Sequence, residues 1–125
     1  MGKRPVNLNL FTIKFPLPAI VSILHRASGA LVFLLIPLLL WMLQASLKAP
    51  VQFDDLQDTL NNFFVKLIIW LLVSALLYHL VAGIRHLLMD LGLGESLRAA
   101  RFSAWLVMII SGVLVVITGG WLWLT

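Results

Sequence analysis

Two short strings in this 125-residue chain carry side chains able to do chemistry. The first is Ser22-Ile23-Leu24-His25-Arg26. On a helix, Ser22 and Arg26 are four residues apart and share a face, with His25 on its flank. A hydroxyl and a guanidinium projecting together form a donor pair. It suits a carbonyl oxygen that gains negative charge on reduction, as a quinone oxygen does, because arginine keeps its charge throughout. The plainer alternative is a topology-setting cation beside an interfacial serine.

The second string is Tyr78-His79-Leu80-Val81-Ala82-Gly83-Ile84-Arg85-His86. His79, Gly83 and His86 follow an i, i+4, i+7 pattern, one stripe of a helix. His79 then lies roughly 10 Å deeper than His86. An imidazole at that depth, next to a residue without a side chain, can ligate iron while a flat macrocycle packs on Gly83. The alternative is a bond from His79 to a serine or a carbonyl of a neighbouring helix. His25, Arg26, Arg85 and His86 share one level and could pair with haem propionates. His86 is on the same helix and stripe as His79, and His25 is at the wrong depth, so a second axial ligand is expected from another chain. Asp90 reads as a solvated loop residue, with a proton path as the alternative.

The elements that must hold these groups are membrane helices. The chain is 62% hydrophobic and 11% charged, with a mean hydropathy of +1.05, a composition for lipid rather than water. Apolar stretches at about 27–47, 63–88 and 102–124 are each long enough to cross about 30 Å of hydrocarbon. Three spans cannot close a barrel, so they are helices and the chain is all-α. Pro37 should kink the first span. Pro5, Pro16 and Pro18 discourage helix until about Ala19, leaving 1–17 as a cytoplasmic or interfacial segment of a single membrane domain, 1–125. The absence of an h-region with a cleavage site argues that the first span is retained.

Charge sets the orientation. Lys3, Arg4, Lys14 and Arg26 precede the first span, and Arg85, Arg98 and Arg101 surround the second connection. Asp54, Asp55 and Asp58 mark the first connection as water-facing, without ligand spacing for calcium. The N-terminus is expected in the cytoplasm and the C-terminus in the periplasm of a bacterial inner membrane, with Trp41, Trp121 and Trp123 towards the outer interface. The net charge of +4 is thereby accounted for without nucleic acid. The chain has no cysteine, which excludes thiolate-held clusters and disulfides. Small residues (Gly29, Ala30, Ala82, Gly83, Ser111, Gly112, Gly119, Gly120) mark faces where helices approach closely.

Arg4-Pro5-Val6-Asn7-Leu8, then Ser22-Ile23-Leu24-His25-Arg26-Ala27-Ser28-Gly29, then His79-Leu80-Val81-Ala82-Gly83-Ile84-Arg85-His86-Leu87-Leu88-Met89-Asp90 closely resemble the large cytochrome b membrane-anchor subunit of bacterial succinate dehydrogenase. The resemblance covers essentially the whole chain, and the combination of S-x-x-H-R with H-x-x-x-G-x-R-H is specific. It implies His79 as an axial ligand of haem b, Ser22 and Arg26 at a ubiquinone site, and His25 near a propionate. It also implies three partners: a flavoprotein, an iron–sulfur protein and a second, smaller three-helix anchor. That anchor would supply the other axial ligand and a tyrosine at the quinone. Electrons from succinate, a tricarboxylic acid cycle intermediate, would leave to ubiquinone on the cytoplasmic side. A fumarate reductase-type anchor runs the same chemistry in reverse. A haem-free structural anchor is the alternative from another class. A small transporter would call for Asp or Glu deep in the spans, which the sequence lacks.

Overall fold

A computed structural model describes residues 14–125. Four helices follow in order: α1 (Leu17–Lys48), α2 (Pro50–Leu60), α3 (Phe63–Asp90) and α4 (Leu97–Leu124). The described residues contain no strand. The three long helices are each long and apolar enough to cross a membrane.

The ends of the helices follow local chemistry. Pro16, in extended conformation, precedes α1, and Pro18 occupies its first turn, where a missing N–H costs nothing. The helix runs on through Pro37 to Lys48, about 48 Å at 1.5 Å per residue. Ala49 is extended, and Pro50 starts α2 directly after it. The Asn62 side chain accepts hydrogen bonds from the N–H groups of Phe64 (3.0 Å) and Val65 (3.3 Å), capping α3. Ser96 caps α4 by accepting from Ala99 N–H at 3.2 Å. Gly92 and Gly94, at φ +80° and +67°, supply the left-handed turns between α3 and α4.

The sequence marks residues 50–60 only as a water-facing connection, and the structure folds them into the short helix α2. Phe53, Leu56 and Leu60 recur at helical spacing opposite Asp54 and Asp58. Eleven residues are too few and too polar to register as a span, yet enough to fold back on the end of α1.

The buried core is small. Val21 of α1, Ala82 of α3, and Ala104 and Val107 of α4 form one cluster, flanked by Leu17, Tyr78, Val81 and Met108. Alanines at the crossing let the backbones close up where lipid gives no hydrophobic drive for association. Tyr78 ties α3 to α1 by donating its hydroxyl to the Val21 carbonyl at 2.8 Å. At the other end of α3, Trp70 Nε1 donates to the Val115 carbonyl (2.9 Å) and Lys66 Nζ to the Leu122 carbonyl (3.0 Å). A Cβ on Gly119 would lie 3.0 Å from Trp70 Nε1, so the indole needs that glycine. Between α1 and α4 the described residues make no hydrogen bond. A 410 Å³ crease opens there, reaching from Ala27 and Ser28 past Ser74 and Tyr78 to Ser111 and Gly112. Most other large apolar side chains along the spans are exposed, as lipid-facing surface must be.

Candidate functional site

The two chemistry-bearing strings meet where α1 crosses α3. Val21, His25, Ser28 and Leu35 line the inner stripe of α1, and His25 projects from it over Gly83. A Cβ at Gly83 would lie 3.4 Å from His25 Nε2. The bare face of Gly83, expected from sequence to receive a macrocycle, is therefore taken by the His25 imidazole. Rings on either side complete a column. His25 stacks on His79 with centroids 4.3 Å apart and planes 6° apart, and on His86 at 5.7 Å and 18°. One imidazole of α1 is thus threaded between two of α3.

His79 is held by α1 through one nitrogen only. Its Nδ1 lies 3.2 Å from the His25 carbonyl and 3.2 Å from Ser28 Oγ. A carbonyl can only accept, so Nδ1 carries the proton, while Ser28 donates its own proton to the same carbonyl at 2.8 Å. Nε2 is left with its lone pair and has no hydrogen-bond partner among the described residues. A Cβ on Gly29 would fall 3.0 Å from His79 Cε1, so this glycine fixes how closely the ring approaches α1.

An open groove of 310 Å³ runs beside the column, walled by His25, His79, Gly83, His86 and the apolar side chains of Leu80, Ile84 and Leu87. The donor set fits a haem. A metal-bound histidine characteristically gives its other N–H to a carbonyl or carboxylate, which fixes the tautomer and raises ligand basicity. The His79 Nδ1–carbonyl bond has that form. Iron ligation and a bond to a neighbouring carbonyl, alternatives from sequence, use opposite nitrogens of the ring and are compatible. Parallel rings do not converge on a point, and among the described residues no three His, Asp or Glu side chains could hold a bare metal ion. One ligand from this chain, on an open wall, is what the geometry offers.

The remaining sequence candidates fall into two groups. Ser22 and Arg26 are exposed on the flank of α1 next to His25. His86 lies at the mouth of the column, its Nε2 3.6 Å from Asp90 Oδ2 on an exposed surface. Arg85 stands apart from them. Its Nε donates to Ser103 Oγ at 2.9 Å and its Nη2 to the Ala100 carbonyl at 3.2 Å, both on α4. That placement ties two helices together and directs those two nitrogens away from the groove. Ser28 is the neighbour of His79 to which the sequence assigns no role, while Gly29, expected as a close-approach residue, is where the His79 ring meets α1. Of the expected N-terminal segment 1–17, residues 1–13, with Lys3, Arg4 and Pro5, lie outside the described residues; residues 14–16 are non-helical and Leu17 already belongs to α1.

Fold and site together define a helical membrane subunit with an imidazole-lined groove open on one side. Residues 2–124 match the family described as succinate dehydrogenase/fumarate reductase transmembrane subunit, and the chain belongs to that family. A succinate dehydrogenase cytochrome b556 subunit from Coxiella burnetii is 46% identical over 123 residues, spanning 98% of both chains. Those of Rickettsia bellii and Paracoccus denitrificans are 36% and 34% identical, covering 88% and 94% of this chain and 86% and 90% of their own.

Proposed function

We propose that this chain is the haem b- and quinone-binding membrane anchor of a succinate:ubiquinone oxidoreductase, folded as one domain. The observation that carries the reading is His79, bonded through Nδ1 to the His25 carbonyl, with Nε2 free of any described partner beside an open groove. The name cytochrome b556 borne by the relatives supports the same cofactor.

In this reading His79 Nε2 would hold the haem iron, and a second, smaller anchor would close the groove and bring another ligand. Haem supplies one-electron storage beside the quinone when bound. His86 and Arg26 would meet the propionates at the mouth of the column, and His25 from inside it, between His79 and His86. Arg85, with two of its nitrogens engaged on α4, contributes less to that contact than sequence depth suggested. Ser22 donates a hydrogen bond to a ubiquinone carbonyl. The fixed charge of Arg26 stabilises negative charge gathering on that oxygen, since guanidinium does not titrate in the working range. The electrons come from an iron–sulfur partner, fed by a flavoprotein that oxidises succinate. The N-terminus faces the cytoplasm of a bacterial inner membrane and the C-terminus the periplasm. The family description also includes fumarate reductase, whose anchor would pass electrons the other way through the same groups.

The test is purification of the intact complex in mild detergent, with identification of the co-purifying chains and a reduced-minus-oxidised visible spectrum. A b-type spectrum altered or lost in His79→Leu is expected. An identical spectrum in that variant would remove the ligand assignment, and a complex without any haem band would leave a purely structural anchor.

A further inference from the structure

At the opposite end of α1, two clefts share the walls Trp41, Ala45 and Gln52, and neither takes part in the haem and quinone reading. One of 270 Å³ extends to Gln44 and Lys48, and the other, of 230 Å³, extends to Asp55 and Thr59. Their walls are single stripes. Trp41, Gln44, Ala45 and Lys48 recur at i, i+3, i+4, i+7 on α1, and Gln52, Asp55, Leu56 and Thr59 do the same on α2. Between the two ends lies Gln52 Oε1, a buried acceptor without a hydrogen-bond partner among the described residues. Such a group costs free energy unless something donates to it.

We propose that this double cleft binds the headgroup of a zwitterionic phospholipid of the phosphatidylethanolamine type. The cation and the anion sit at opposite ends. Lys48 takes the phosphodiester, Asp55 takes the ammonium, and an ammonium N–H reaches Gln52 Oε1. The Trp41 indole, 56% exposed, lies along the glycerol region where aromatic rings favour the membrane interface. Leu40, Leu43 and Leu47 are exposed beside it and give the acyl chains an apolar path. An anionic headgroup fits less well, because it would meet Asp55 with Asp54 and Asp58 on the same short helix. The α2 fold-back creates the site, since every group of the second wall is on that helix.

The experiment uses the whole complex in nanodiscs of equal parts phosphatidylethanolamine and phosphatidylglycerol, transferred to detergent, with retained lipid counted by mass spectrometry. Enrichment of phosphatidylethanolamine by about fivefold is expected, the size of one exposed charge pair. Asp55→Asn, at an exposed position, should bring the ratio near unity, and Lys48→Gln, which removes the contact with the phosphodiester that both lipids share, should lower retention of both. Equal retention of the two lipids by the natural protein, enrichment that survives Asp55→Asn, or unchanged total retention in Lys48→Gln overturns the proposal. Glycerophosphoethanolamine, which has the headgroup but no chains, should not displace the lipid at equal concentration. Displacement would assign the cleft to a soluble phosphodiester instead.

Discussion

The imidazoles of His25 and His79 lie face to face, 4.3 Å between centroids and 6° from parallel, although one belongs to α1 and the other to α3. The contact joins the residue next to Arg26 to the proposed iron ligand. An offset aromatic pair contributes about 1 kcal/mol beyond its buried area. His25→Ala should therefore lower the temperature at which haem absorbance is lost on heating the complex by a few degrees. An unchanged melting curve would show that the stack does not steady the ligand.

Gly29→Ala places a methyl carbon 3.0 Å from His79 Cε1, closer than packed atoms tolerate. The ring must turn or retreat. The expected result is an assembled complex whose haem electron paramagnetic resonance signal is shifted. Gly112→Ala is the matched control, because a Cβ there meets nothing within 4 Å, and its signal should stay as it was.

Ser28→Ala removes one of the two oxygens 3.2 Å from His79 Nδ1 and leaves the carbonyl. Loss of an outer-shell partner of this kind costs about tenfold in affinity for the bound group. Haem transfer from the purified complex to an apo-globin acceptor should speed up by about that factor. An equal transfer rate would assign the orientation of the ring to the carbonyl alone.

Arg26→Leu should reduce quinone reduction at least tenfold, the effect of removing about 1.4 kcal/mol of charge stabilisation. Succinate oxidation by an artificial acceptor should persist, because Arg26 lies on the membrane subunit. Comparable rates with quinone would place the reactive carbonyl elsewhere.

Gly119→Val fills the space that Trp70 occupies, where a Cβ would already sit 3.0 Å from the indole nitrogen. Overpacking of this kind costs about 1–3 kcal/mol. The variant should unfold at lower denaturant than the natural complex while the haem spectrum at rest is preserved. Trp70→Phe should cost about 1 kcal/mol, from the lost bond to the Val115 carbonyl.

The three long helices were legible because lipid demands unbroken apolar length, a property of composition alone. Helix α2 was not, since its signal is eleven residues of amphipathic spacing with three aspartates among them. At the site, the stripe joining His79 to Gly83 and His86 could be counted from the sequence. The threading of His25 over Gly83 could not, because it depends on how α1 and α3 cross. Arg85 shows the limit of depth as a guide. It shares a level with His86, but consecutive residues on a helix point about 100° apart, and that turn carries it to Ser103 of α4. Ser28 lies three residues beyond His25 on the inner stripe of α1. Its role needed the other helix.

Helix α3 carries every polar tie between the long helices among the described residues: to α1 through Tyr78 and His79, and to α4 through Lys66, Trp70 and Arg85. The subunit is bound like a book along that spine, with α1 and α4 as leaves that meet by apolar packing alone, at Val21, Ala104 and Val107. They can spread at the crease past Ser28 and Ser111 without breaking a hydrogen bond between them. A neighbouring helix or an acyl chain could wedge there during assembly while the imidazole column, secured wholly on the α1 side of the spine, keeps its alignment.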